Sequence, residues 1–428
     1  MKRKTSIYAF AEGAAFTGPA CITGTICALL SGGPGSLFWM AAAGLVSWLA
    51  SRKLAFIQRT RPDSEDFFSY APKRLTAVLF ILSAVFISAF SLNQAGLSLT
   101  RALTEAALYR PSAVSWTGLS GFKAFFTAKS PFRTAASFAG LFLAACLLFF
   151  RKKASLTGFV RKLLTVLTLG LLMIYAGMCL YIIVTHPGEI FHAAGRIAKY
   201  AFKFRAVYGG IFSYTLLQVI RTGFLRGLLI SRPFEELYDD PASRAGSSSG
   251  TAGSSGSFLL GKFLFPVLIS LLTGFMILTS MNVEILQGHE DIVLYTLLVF
   301  RESFGTFGTV AVTAVLCVLA LTAVSRLTAG AGNALAFLTD AVSSDEPSVS
   351  PEFRESPAEE AHRETLSLTG AKKQKSPSRA LLPVVFVIYL VLAFVLSAAK
   401  SRFLLSCCDL AVLAHFLVCL VTLFRTLA

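Results

Sequence analysis

The chain has 428 residues, of which 55% are hydrophobic and only 14% charged, with a mean hydropathy of +0.68. A soluble domain carries about a quarter charged residues, so this balance excludes a water-soluble enzyme and points to a polytopic membrane protein. The formal charge of +16 would suit nucleic acid, but the basic residues stand at the ends of apolar runs, where they set orientation instead.

Apolar runs fall at 8–30, 36–57, 75–97, 133–150, 161–185, 206–230, 258–281, 304–330, 380–398 and 403–425. At about 20 residues per helical span they predict an all-α chain of about ten transmembrane helices. A β-barrel would alternate apolar and polar residues and is excluded. The opening Met1-Lys2-Arg3-Lys4 has the charge of a signal peptide, but Glu12, Pro19 and several glycines interrupt the run that follows. With the N-terminus in the cytoplasm, the inner segments collect Lys2 to Lys4, the cluster from Arg52 to Arg74, Arg151 to Lys162, Arg226 to Lys262, Arg354 to Arg379, and Arg425. The positive-inside rule therefore places both termini on the cytoplasmic side of a cell inner membrane.

The first span carries Thr17-Gly18-Pro19-Ala20-Cys21 at its middle. Pro19 removes a backbone donor, so the helix is expected to break near Gly18, and at membrane depth such a break is tolerated only around a protein-lined cavity. Residues 188–205 put Ile190, Phe191, Ala194 and Ile197 on one side and Arg196, Lys199 and Lys203 on the other, as in an interfacial amphipathic helix. The sixth span holds Tyr208-Gly209-Gly210-Ile211-Phe212-Ser213-Tyr214, which predicts a second break near Gly209. Two interrupted helices five spans apart fit a five-plus-five inverted repeat with a site between the half-helices. Close packing through small residues accounts for the same glycines equally well.

The chain divides into a first half with the sixth helix at 1–230, a Ser/Gly-rich cytoplasmic linker at 231–257, second-half helices at 258–339, a charged cytoplasmic linker at 340–379 and two last helices at 380–428. Both linkers read as solvated loops, and their composition names no protein partner. The eight cysteines lie in apolar segments without CxxC spacing and the five histidines are scattered, so neither an enzyme nor a resident cofactor is expected. Glu12, Arg221, Arg326 and Asp409 fall inside spans. The first three are near enough to span ends to snorkel, whereas Asp409 must pair with an arginine, serve a proton path or bond to a neighbouring helix.

Gly18-Pro19-Ala20-Cys21-Ile22-Thr23-Gly24 leads to Gly32-Gly33-Pro34-Gly35-Ser36-Leu37-Phe38-Trp39-Met40. Asn93-Gln94-Ala95-Gly96, Ala201-Phe202, Gly209-Gly210, Ile220-Arg221-Thr222-Gly223, Arg226-Gly227-Leu228, Val318-Leu319-Ala320-Leu321-Thr322 and Asp409 follow. In order and spacing these residues resemble the motifs of the alanine or glycine:cation (sodium) symporters, GGPGxxFWM being the most specific. The resemblance implies a LeuT-type fold in the lipid bilayer and cation-coupled uptake of a small neutral amino acid such as alanine or glycine. It implies that Thr17, Gly18, Cys21, Gln94, Gly209, Gly210 and Ser213 line the substrate, and that Thr322 and Ser325 offer hydroxyls to sodium beside backbone carbonyls of the first span. Two departures stand out. The family's asparagine is Cys21, a feeble hydrogen-bonding group, and its F-S-N-E-A-G signature after Arg-Gly-Leu is replaced by Leu229-Ile230-Ser231-Arg232. The alternative is a relative that kept the fold, lost transport and acts as a structural or regulatory membrane protein.

Overall fold

The computed structural model describes residues 13–14, 16–60, 73–105, 154–202, 205–208, 212–238, 254–280, 292–343 and 378–425. In chain order these form α1 (Ala20–Gly32), α2 (Ser36–Thr60), α3 (Lys73–Glu105), α4 (Ala154–Thr185) and α5 (Pro187–Ala201). Two short strands follow, β1 (Arg205–Tyr208) and β2 (Phe212–Thr215), and then α6 (Leu216–Ser231) and a 3-10 turn (Glu235–Tyr238). The chain closes with α7 (Ser254–Ser280), α8 (Ile292–Ser343), α9 (Ser378–Leu396) and α10 (Ser401–Arg425). Among the described residues five helices are long and apolar enough to cross a membrane, at 74–99, 163–185, 261–280, 296–335 and 401–425. The predicted span at 133–150 and most of both linkers lie outside the described residues.

Helix ends follow local chemistry. α1 stops where Gly33, at φ 72°, returns its N–H to Leu29 O, a left-handed turn that glycine accepts without strain, and Pro34 then bars continuation. α6 starts at Thr215, whose hydroxyl accepts from Gln218 N. α8 contains a non-helical residue, Gly305 at φ 61°, so it is two helices meeting at a kink, the second beginning where the sequence predicts a span.

The expectation of an all-helical sixth span is corrected. Residues 205–215 form an antiparallel pair in which Arg205 faces Thr215 and Tyr208 faces Phe212. Val207, Tyr208, Phe212 and Tyr214 carry strand propensity, and a short apolar run does not tell a strand from a helix by periodicity. The helix itself begins only at Leu216. The amphipathic helix expected over 188–205 is found as the shorter α5, which exposes Phe191 and buries Ala193, while Arg205 already belongs to β1.

α6 lies against α2 through glycines: a Cβ on Gly227 would stand 2.6 Å from Met40 O, closer than real Cβ atoms come. Thus only a hydrogen fits there, and the two backbones touch. α3 packs along α8, and Asn93 ties α3 to the turn between α9 and α10, donating to Ser397 O and Ala399 O at 2.8 Å each and accepting from Ser401 Oγ at 2.8 Å.

Candidate functional site

The first break lies where the sequence predicts it. Phe16 N bonds to Gly13 O and Thr17 N to Ala14 O in tight turns, Thr17 and Gly18 leave helical geometry, and α1 restarts behind Pro19. A second non-helical segment follows α6 at Arg232-Pro233-Phe234; the break expected near Gly209 lies outside the described residues, between β1 and β2. Pro233 has no N–H to continue α6 and restricts the residue before it. Arg232 is left-handed at φ 43° and Phe234 at φ 65°. Each such conformation costs a residue with a side chain about 1 kcal/mol or more, so contacts made by the rest of the residue must hold it there.

Those contacts join the two breaks. Arg232 is buried, and its Nη2 donates to the carbonyl of Phe16 in the first break. Its Nη1 stands 3.5 Å from Glu235 Oε2, also buried. Two further cations close on the ring of Phe16. Lys262 of α7, with no exposure at all, places Nζ 4.3 Å from the ring centre, and Arg326 of α8 places its guanidinium carbon 3.3 Å away. Heads from just past α6 and from α7 and α8 thus converge on one residue of the unwound segment. A small cavity of about 20 Å³, room for a single water, lies against Arg232 and Glu235, with Ser83 and His415 also in its wall.

Of the residues expected to line a site, Thr17, Gly18 and Cys21 are here. Thr17 is fully buried, and its hydroxyl has no hydrogen-bond partner among the described residues. Gly18 faces Ala323 of α8, 3.6 Å from the place its Cβ would occupy. The thiol of Cys21, on the first turn of α1, is buried beside Ser270 of α7. Gln94 is elsewhere: it donates to Asn93 Oδ1 at 3.1 Å, by the turn of the last two helices. Its neighbour Ala95 accepts from Cys317, so Gln94 stands roughly two helical turns along α8 from Ala323. Gly209 and Gly210 lie outside the described residues, and Ser213 sits on β2 opposite Val207.

The hydroxyls expected to hold sodium are engaged within the protein. Thr322 Oγ1 donates to Val318 O at 2.8 Å and lies 3.0 Å from Thr168 Oγ1 of α4, while Ser325 donates to Thr322 O at 3.0 Å. In the first break the carbonyl of Phe16 serves Arg232. Both hydroxyls spend their protons on carbonyls of their own helix, and their oxygen lone pairs are what a hard cation would use.

Arg326 does not snorkel toward a span end; it turns onto Phe16. Asp409 takes the pairing option, its Oδ2 2.6 Å from Arg226 Nη1 of α6, both side chains nine-tenths buried. Sequence reasoning missed Arg232, Glu235 and Lys262. Two signals were present: Pro233 directly behind Arg232, at the end of the run that follows Arg226-Gly227-Leu228, and a lone lysine within the apolar run 258–281.

A model of the sodium:alanine symporter family matches residues 2–346. Among curated proteins, none matches the chain. Among solved structures, a manganese transporter of Eremococcus coleocola, in complex with an aromatic bis-isothiourea substituted compound, aligns with a TM-score of 0.45. It is 11% identical over 99% of this chain and 87% of its own.

Proposed function

The chain belongs to the sodium:alanine symporter family, and from that premise we propose that it moves a small neutral amino acid, alanine or glycine, across a bacterial inner membrane with cation coupling. Membership makes it a multi-pass membrane transport protein of a family defined by sodium symport and amino-acid transport. The single observation that supports solute passage at a defined place is the meeting of two non-helical segments, Phe16–Pro19 and Arg232–Phe234, tied by Arg232 to the Phe16 carbonyl.

The chemistry of that place suits a zwitterion. The positive end of the α1 dipole faces the break, where a carboxylate belongs. The Thr17 hydroxyl offers a hydrogen bond that nothing among the described residues uses, and a buried polar group held open in this way is costly unless a ligand completes it. Among the described residues, the buried Glu235 carboxylate beside Arg232 offers an anion for an ammonium group. Access requires the junction to open, so the contact between Arg232 and Phe16 is exchanged for water and solute during a cycle. The five-plus-five repeat supplies that motion in this reading, with one group of helices rocking on the other.

Uptake of labelled alanine and glycine into proteoliposomes tests the proposal. Accumulation above protein-free vesicles under an inward cation gradient is expected. Vesicles that take up neither amino acid under any gradient would overturn it, leaving the fold without transport.

A further inference from the structure

Three helices pass the small cavity, and their contacts run in one common order. Along α8, Ala323 faces Gly18 and Arg326 lies over Phe16 at the first break. Leu327 then enters the cavity wall, Gly330 faces the Phe80 ring, and Asn333 donates to the Tyr238 carbonyl at 2.7 Å. From Ala323 to Asn333 the helix rises about 15 Å. α3 gives the wall Ile87, Ser83 and Phe80, of which Phe80 is nearest the Lys73 end, and α10 gives it Val412 and then His415, toward Arg425. All three helices thus lead from the first break, past the cavity, toward their ends at Lys73, Ser343 and Arg425.

Tyr238, the last residue of the 3-10 turn, is buried on that side of the cavity. Its ring stacks on Phe80 at 4.1 Å and 20°, and it lies 6.0 Å from the His415 ring, which is itself 5.7 Å from Phe80. Gly330 leaves room for the stack, since a Cβ there would stand 3.0 Å from the Phe80 ring. We propose that Tyr238 is the gate closing the solute's route from the first break to the Lys73 and Arg425 ends of the bundle, with the cavity as the length of that route lying behind it. A wall containing Arg232, Glu235, Ser83 and His415 is polar, as the route of a hydrophilic solute requires, whereas stacked rings exclude water. Ring contacts and a hydrogen bond to its carbonyl are individually weak, so Tyr238 can leave without separating buried charges. Gate and junction also share one short segment: Arg232 holds the Phe16 carbonyl, and the turn that follows it ends in Tyr238. Release of either end therefore loosens the other.

The gate rests on the transport reading for its purpose, but closure is measured without transport. Ser83→Cys places a thiol in the cavity wall, and its modification by a charged, impermeant methanethiosulfonate is followed by mass spectrometry of the peptide carrying residue 83. Cys179 of α4, naturally present and buried, reports in the same digest on general loosening. Modification of the introduced thiol is expected to be slow with Tyr238 in place and about 10-fold faster with Tyr238→Ala, Cys179 staying unmodified. Tyr238→Phe keeps the ring and is expected to stay slow. Labelling no faster in Tyr238→Ala, or as fast in Tyr238→Phe, would overturn the gate. In sealed vesicles the reagent should act from the side of the Lys73 and Arg425 ends, and reaction from the opposite side alone would overturn it as well. Should Tyr238→Ala expose Cys179 too, Asn333→Ala removes the hydrogen bond at the Tyr238 carbonyl and is expected to speed labelling several-fold with Cys179 silent; an unchanged rate would count against the gate. Faster labelling without alanine uptake under any gradient would sink the transport reading alone, and uptake with labelling indifferent to Tyr238 would sink the gate alone.

Discussion

Two arginines six residues apart on one stretch of chain, Arg226 and Arg232, meet their carboxylates in different ways. Arg226, inside α6, holds Asp409 of α10 at 2.6 Å and also donates to Leu405 O at 3.2 Å. Arg232, just past the end of α6, stands 3.5 Å from Glu235 and spends its donor on the Phe16 carbonyl. The first is a lock between regular helices, with charge neutralised one to one. The second belongs to irregular backbone, and its carboxylate is an adjunct to a contact with the other break. The difference teaches where the chain can move: a buried, short ion pair resists separation, whereas the longer one is already half released.

The largest expected effect is at the lock. Asp409→Asn leaves Arg226 buried without a counter-charge, and removing one member of a buried pair costs about 3–5 kcal/mol. The thermal midpoint in detergent should fall sharply. The double variant Arg226→Met with Asp409→Leu should recover much of that loss, since well-packed apolar groups can replace a buried pair. A double variant as unstable as the single would show that the pair is not what joins α6 to α10.

Gly227→Ala tests the backbone that carries both arginines. Its new methyl would meet Met40 O at 2.6 Å and Ala43 Cβ at 2.5 Å, so α6 must shift off α2 at an expected cost of about 1–3 kcal/mol. A midpoint equal to wild type would mean that the close approach is not present in solution. Smaller again is Glu235→Gln. The carboxylate makes a long contact and one of its oxygens lacks a hydrogen bond, so an amide in its place should lower stability by about 1 kcal/mol, well short of Asp409→Asn. Equal losses at the two carboxylates would erase the distinction between lock and junction.

The sequence displayed the first break and hid the second for a physical reason. Gly18 and Pro19 lie in the middle of an apolar run, where a missing donor is conspicuous. Pro233 lies at the end of one, beside Arg232 and Glu235, and so reads as the start of a loop. Only the folded chain brings that loop back under the helices, which is tertiary information no periodicity carries. Gly209 and Gly210 drew attention because glycine interrupts helices, yet it also interrupts strands, and here strands flank them. Of the candidate site, the residues local to the first break were legible. Lys262 and Arg326 were not, because a cation near a span end is ordinarily a solvated one.

The smallest expected change in stability separates structure from function. Thr17 Oγ1 is buried with no hydrogen-bond partner among the described residues, so its hydroxyl is a burden on the resting fold. Replacing it by the near-isosteric Val removes the unsatisfied group and keeps the volume, and Thr17→Val should leave the midpoint unchanged or raise it by about 1 kcal/mol. If the hydroxyl serves a solute at the junction, the same substitution should weaken alanine binding by about one hydrogen bond, roughly 5- to 10-fold. A variant that is stabilised and binds alanine as the wild type does would remove Thr17 from the site. A destabilised variant would reveal a protein partner for the hydroxyl instead. Measured together, midpoint and affinity therefore tell whether the open valence at the first break is kept for a ligand.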